Sequence, residues 1–176
     1  MKESKMVFSA VFLIPPFCLV FAALSDLFSA MIPNRVSIVM LGSFLLTAFL
    51  LGMDYELIAL HLLVGLIVFI ICFCFFAFNI RGGGDVKLLT STAVWFGWTP
   101  SFLSFLFFVA ILGGILSVFI LTVRMITNHI PIFGMFVPKS FLMKNKIPYG
   151  IAISMGGLIS YPDSYLFKVA LMGLSA

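Results

Sequence analysis

The chain has 176 residues, 63% of them hydrophobic and 9% charged, and a mean hydropathy of +1.28. So little charge cannot clothe a water-soluble domain of this size in a polar surface, which excludes a soluble globular protein. The net charge of +4 is carried by Lys and Arg beside apolar stretches rather than on a polar face, a membrane-topology pattern that gives no footing for nucleic acid.

A hydrocarbon core of about 30 Å needs about 20 helical residues to cross it. In chain order, Met6 to Leu24 is a first span, carrying Pro15-Pro16 as a kink, and Val36 to Leu51 a shorter second. Leu57 to Phe78 is a long third. Leu88 to Val123 is apolar almost throughout and too long for one crossing. Trp98-Thr99-Pro100-Ser101 breaks it, because proline stops a helix and tryptophan favours the interface. A short fourth span, Val86 to Trp98, and a fifth, Phe102 to Val123, follow. A sixth starts at Gly150 and is interrupted at Tyr161-Pro162-Asp163. The expectation is an all-α, polytopic membrane helix bundle of about six transmembrane helices, forming one domain over 1–176.

With six spans, the loops after spans one, three and five share a face. That face collects Arg35, Arg81, Lys87, Arg124, Lys139, Lys144 and Lys146, against Lys2, Lys5 and Lys168 opposite. The positive-inside tendency makes it cytoplasmic and puts both termini outside. Trp95 and Trp98 then anchor the outer end of span four. The loop from Arg124 to Pro148 mixes Ile132, Phe133, Phe136 and Phe141 with basic residues, the composition of a segment lying on anionic lipid. Lys2 and Lys5 before an apolar run, with Ala22-Ala23 further on, also resemble a cleavable signal. That run is too long and proline-interrupted, and cleavage would strand Asp26 at a new terminus.

Acidic residues are scarce enough that each needs a reason. Glu3 is terminal, Asp54 and Glu56 belong to an outer loop, and Asp163 lies at the break in the last span. Asp26 and Asp85 each abut an apolar helix, and an even number of crossings between them returns the chain to the same face. A carboxylate kept near a bilayer is a functional-site candidate by default. Simpler readings exist for each alone: Asp26 as a solvated juxtamembrane acid, Asp85 as the N-cap of span four. Gly82-Gly83-Gly84 precede Asp85, offering unusual backbone angles and close approach of another backbone.

Two carboxylates sharing a site cannot both ionise cheaply, so a pair holds one proton. One member takes a proton from an attacking water and the other gives one to the peptide carbonyl oxygen. Which acid does which is not assigned, since the pair titrates as a unit. Rival chemistries fare worse. His61 and His129 fall on opposite sides of the predicted membrane, no HExxH occurs, and no serine or cysteine has a positioned base, so neither metal nor cofactor is expected. Cys18, Cys72 and Cys74 give no disulfide framework and no zinc knuckle.

Three local patterns resemble one family, the type IV prepilin peptidases. Asp26 with Ile32-Pro33-Asn34 resembles their first aspartate segment. Gly82-Gly83-Gly84-Asp85-Val86-Lys87-Leu88 matches their GxGD signature, and Lys146-Ile147-Pro148-Tyr149-Gly150 resembles the Pro-Tyr-Gly segment opening their last helix. The resemblance implies a bacterial inner-membrane aspartic endopeptidase. It would remove the leader of a type IV prepilin or pseudopilin after a glycine, at the cytoplasmic face. The length resembles the peptidase-only branch serving tight-adherence (Flp) pili. Larger relatives carry paired CxxC motifs linked to N-methylation of the product, and no CxxC stands here, so methyltransferase activity is not expected. Among the residues themselves, Asn34 reads as the N-cap of span two with Pro33 stopping the chain before it. Lys87 reads as a partner of lipid headgroups or of the acidic pair. The oligomeric state is not legible. A non-cleaving pilus or secretion component and a proton-coupled transporter subunit are the alternative classes.

Overall fold

A computed structural model describes residues 2–77, 82–129, 138–143 and 147–175, and among them every regular element is a helix. In lipid each backbone N–H and C=O must find a partner within the protein, and a helix achieves this within its own segment. The helices are α1 (Lys2–Ser29), α2 (Asn34–Leu50), α3 (Tyr55–Ala77), α4 (Gly83–Phe96), α5 (Pro100–His129), α6 (Lys139–Leu142), α7 (Tyr149–Ser160) and α8 (Tyr165–Ser175). They form the expected all-α membrane bundle. Three, α1 from Val11, α3 and α5, are long and apolar enough to cross a bilayer, and α2 is a shorter apolar helix. The predicted interruption of the last span is a 3-10 turn, Tyr161–Asp163, between α7 and α8.

α4 is the centre of the bundle. It touches α2, α3, α5, α7 and α8, and every residue from Ser91 to Phe96 is buried. It is less apolar than the other spans, as suits a helix whose neighbours and not lipid surround it. Two of its three hydroxyls are satisfied at home: Ser91 and Thr92 both donate to the Leu88 carbonyl, whereas the Thr90 hydroxyl has no partner among the described residues. Trp95, expected at the membrane interface, is instead 1% exposed. Its indole N–H needs an acceptor when buried, and the Met40 carbonyl of α2 provides one at 2.9 Å. Only Trp98 of the two lies at the surface.

α3 presents one stripe to α4, comprising Ile58, His61, Val64, Gly65, Val68 and Cys72, and turns its other faces outward. At the end remote from Asp85, His61 donates from Nδ1 to the Val94 carbonyl at 2.7 Å and stacks on Phe44 of α2. The ring lies over Gly97, which ends α4 with φ +60; a β-carbon there would come within 2.5 Å of it. Glycine at 97 is thus required twice, by backbone and by space.

Pro15 and Pro16 sit inside α1. Proline lacks an N–H, so the Val11 carbonyl, four residues before Pro15, loses its helical donor. The Tyr161 hydroxyl from the break in the last span donates to that oxygen at 2.6 Å. The Tyr161 ring is buried against Trp95 and Phe167, so the interrupted last span and the proline-opened first one complete each other. Tyr161→Phe should therefore cost about 1–2 kcal/mol, the price of an unsatisfied buried carbonyl. In a Pro15→Ala background, where residue 15 regains its N–H, the same change should cost less. Thermal unfolding of the four proteins in detergent gives the comparison, and equal costs in both backgrounds would refute it.

Candidate active site

Asp26 lies in the last turn of α1 and is 3% exposed; Asp85 lies in the first turn of α4 and is 9% exposed. A solvated juxtamembrane aspartate would be open to water, and Asp26 is not. Nor is Asp85 the N-cap of its helix: Gly82 holds that position, extended at φ −73 and ψ 141, and Asp85 is the third helical residue. Its carboxylate turns back toward Gly82, whose β-carbon, if it had one, would stand 3.4 Å from Oδ2.

The triglycine run does not use glycine's special backbone angles. Among the described glycines the positive φ values belong to Gly52 and Gly97. What the run supplies is close approach. A β-carbon on Gly84 would be 3.2 Å from Ile32 Cβ and 3.5 Å from both the Ile32 nitrogen and oxygen. At Gly83 the nearest atom would belong to the Phe76 ring, at 3.4 Å.

Ile32 stands in the short connection between α1 and α2, and Pro33 after it is the N-cap of α2 at φ −64 and ψ 134. The expected cap, Asn34, is already helical. Its side-chain oxygen accepts a 2.9 Å hydrogen bond from Lys87 Nζ of α4. Lys87 is exposed, and the partner it has here is Asn34 rather than either aspartate. The pair ties the start of α2 to the first turns of α4.

The third segment arrives with α7. Pro148 is its N-cap and Tyr149 its first residue. The Tyr149 hydroxyl pairs with Ser117 Oγ of α5 at 2.9 Å, and its ring packs on Gly113. Gly150 follows, buried, and faces α1: a β-carbon there would be 2.7 Å from Asp26 Oδ2, 3.0 Å from Asp26 Cγ and 2.6 Å from Ile32 Cδ1. Ile32 therefore reaches the Gly84 turn with its backbone and Cβ and the Gly150 turn with its terminal methyl. The end of α1, the start of α2, the start of α4 and the start of α7 meet at one end of the bundle. The N-terminal dipoles of α4 and α7, which favour negative charge, both point into this end.

α6 braces the same end. Ser140 donates to the carbonyl of Leu27, the residue after Asp26, while Arg124 of α5 donates from Nε to the Phe141 carbonyl at 2.7 Å and from Nη2 to the Met143 carbonyl at 2.6 Å. The rest of the stretch read as lipid-facing, 130–137 and 144–146, lies outside the described residues, as does Arg81. Among the described residues, no three His, Cys, Asp or Glu side chains gather as a metal-ligand set.

Two residues carry weight that sequence reasoning did not assign. Ile32 was part of a motif without a role, and its contacts with Gly84 and Gly150 have no local signature. Ser154 stands one turn beyond Gly150 on the same face of α7, fully buried, and its hydroxyl has no hydrogen-bond partner among the described residues. Ser37, Thr90 and Ser160 share that lack of a partner, whereas Ser43, Thr47, Ser91 and Thr92 return their hydroxyls to a carbonyl of their own helix.

Residues 13–118 match the type IV leader peptidase family. The matched stretch holds both aspartates, Pro33, Asn34, the three glycines and Lys87, and stops before Tyr149 and Gly150. No curated protein and no solved structure matches the chain.

Gly83 and Gly84 are not equivalent. Gly83→Ala meets ordinary van der Waals contact and should leave thermal stability in detergent within about 0.5 kcal/mol of the parent. Gly84→Ala presses a methyl against the backbone and Cβ of Ile32, which cannot swing away as a side-chain tip can, and should cost about 1–3 kcal/mol. A larger loss at 83 than at 84 would contradict the contact.

Proposed function

We propose that this chain, which belongs to the type IV leader peptidase family, is an aspartic endopeptidase in which Asp26 and Asp85 form the catalytic pair. Its substrate is the leader of a type IV (Flp-like) prepilin or pseudopilin, cut after a glycine at the cytoplasmic face of a bacterial inner membrane. Both termini lie on the outer side in this reading, and lipid and the pilin are the partners. The observation that carries it is the burial of two of the chain's six acids, Asp26 and Asp85, on elements joined by Ile32. Placing a carboxyl near a bilayer centre costs on the order of 2.5–3.5 kcal/mol, less toward the edge, and two such costs at one end of a bundle are explained by chemistry done there.

The chemistry needs no cofactor. The pair shares one proton. The ionised aspartate takes a proton from water as the water oxygen bonds to the scissile carbonyl carbon, and the protonated aspartate gives its proton to the carbonyl oxygen. Collapse of the tetrahedral diol breaks the C–N bond, the departing amine takes a proton, and the pair again holds one. The sequence's charge asymmetry supports a cytoplasmic site: Arg35 and Lys87 flank this end of the bundle. N-methylation of the product is not part of the proposed activity.

Coexpression with a candidate prepilin in a host lacking its own leader peptidase tests the reading. The parent chain should produce the leader-sized mobility shift and an unmethylated new N-terminus by mass spectrometry. Asp26→Ala and Asp85→Ala should each abolish the shift while the proteins still insert, and Asp54→Ala in the opposite loop should not. Uncut prepilin with the parent chain, across several candidate substrates, would favour a non-cleaving assembly component. Cleavage that survives either change at 26 or 85 would remove the pair from the mechanism.

A further inference from the structure

We infer that Gly150 is a positioning residue: the absent side chain at the start of α7 is the seat of the Asp26 carboxylate. This rests on the protease reading above for its consequence, though not for its geometry. A β-carbon at 150 would overlap Oδ2 at 2.7 Å and Cγ at 3.0 Å of Asp26, closer than real β-carbons approach such atoms. Residue 150 lies in a helix, so the direction of that β-carbon is set by the backbone and no rotamer relieves it.

Relief by moving α7 is also closed off. On one side, Gly156 lies against α5, where a β-carbon would be 3.0 Å from the Val109 backbone nitrogen. On another, Gly157 lies against α1 and α4, with Leu19 Cδ1 at 2.9 Å and Thr92 Cγ2 at 3.4 Å from the same construction. Tyr149 is pinned to Ser117 beside it. α7 is wedged between α1 and α5 at both ends by positions that carry no side chain, Gly150 at its start and Gly156 and Gly157 toward its end. What a methyl at 150 presses on is the pair of side chains above it, Ile32 and Asp26. Ile32 meets Gly150 only through its terminal methyl, which can rotate aside. Asp26 meets it through the functional group itself. A methyl at 150 therefore moves the carboxylate, and an error of about 1 Å in a reacting group costs on the order of a hundredfold in rate.

Gly150 acts through the Asp26 carboxylate, so its effect falls on turnover. With a prepilin substrate in detergent micelles, Gly150→Ala should lower kcat at least tenfold with KM unchanged and with insertion and melting temperature close to the parent. Gly114→Ala, a glycine of α5 with open space around it, is the control and should lose nothing. Adding Ile32→Val, which deletes the methyl that also meets residue 150, should not restore turnover. A second readout is independent of cleavage. Amidation of Asp26 by a water-soluble carbodiimide and an amine nucleophile, located by mass spectrometry, should be several-fold faster in Gly150→Ala than in the parent or in Gly114→Ala.

Parent-like kcat in Gly150→Ala overturns the inference, as does recovery by Ile32→Val, which would make the collision one with Ile32 alone. Parent-like labelling of Asp26 overturns it too. If the parent cuts no prepilin, the protease reading fails, and the labelling contrast still decides whether residue 150 seats the carboxylate.

Discussion

A carboxylate cannot be left facing hydrocarbon, and the close packing of α7 on α1, which seats Asp26 against the first turn of α7, is the constraint on which the site depends. Asp26 is at the end of the first long helix and Gly150 at the start of the seventh, so nothing local brings them together. The contact exists because α7 can lie flush on α1 along Gly150 and Gly157 while lying flush on α5 along Gly156. In a bilayer, where burial of apolar surface does not drive helices together, such small-residue faces are what lets backbones pack. The same economy recurs where α3 meets α4: a β-carbon on Gly65 would fall 2.3 Å from Val94 Cγ2.

The second consequence concerns depth. α4 has 14 residues, about 21 Å of helix at 1.5 Å per residue, against a hydrocarbon thickness of about 30 Å. A helix that short, exposed to lipid, would bring its unpaired terminal groups into hydrocarbon or force the bilayer to thin. α4 avoids both because α2, α3, α5, α7 and α8 enclose it. Its ends are met by protein: Ile32 over the Gly84 turn at one end, His61 on the Val94 carbonyl at the other. Enclosure is also what lets Asp85 stand buried on a membrane helix, whereas Ser91 and Thr92 return their hydroxyls to the Leu88 carbonyl, as the exposed Thr122 of α5 does to Val118.

Much of this was legible in the sequence, for a physical reason. Hydropathy is local, so the spans, the Trp98-Pro100 break and the Tyr161-Pro162-Asp163 interruption could be read within windows of about 20 residues. The scarcity of acids singled out Asp26 and Asp85 before any contact was known, and both proved buried. What sequence could not carry was any role decided by a distant partner. Trp95 looked like an interface anchor until the Met40 carbonyl, 55 residues away, was seen to accept its N–H. Asn34 looked like a cap, a strong local preference, but Lys87, 53 residues on, holds its side chain and Pro33 takes the cap position. The glycine run offered two devices, unusual backbone angles and clearance, and sequence does not choose between them. Only the Ile32 backbone beside Gly84 reveals it as a space device.

Gly84 and Gly150 can then be understood together. They lie in different helices, yet both face Ile32, and through it the two glycines define one gap. Ile32 has Pro33 after it, which restricts its backbone to extended conformations, so it cannot retract from Gly84 by turning helical. Its Cβ is therefore held against α4, while its terminal methyl reaches toward α7, beside Asp26. A larger residue at 84 would push Ile32 toward Asp26; a larger residue at 150 would push Asp26 directly. Both disturbances end on the same carboxylate. Three separated segments are thus one mechanical unit, with the proline supplying stiffness, the isoleucine the span, and the two glycines the clearance that seats the Asp26 carboxylate.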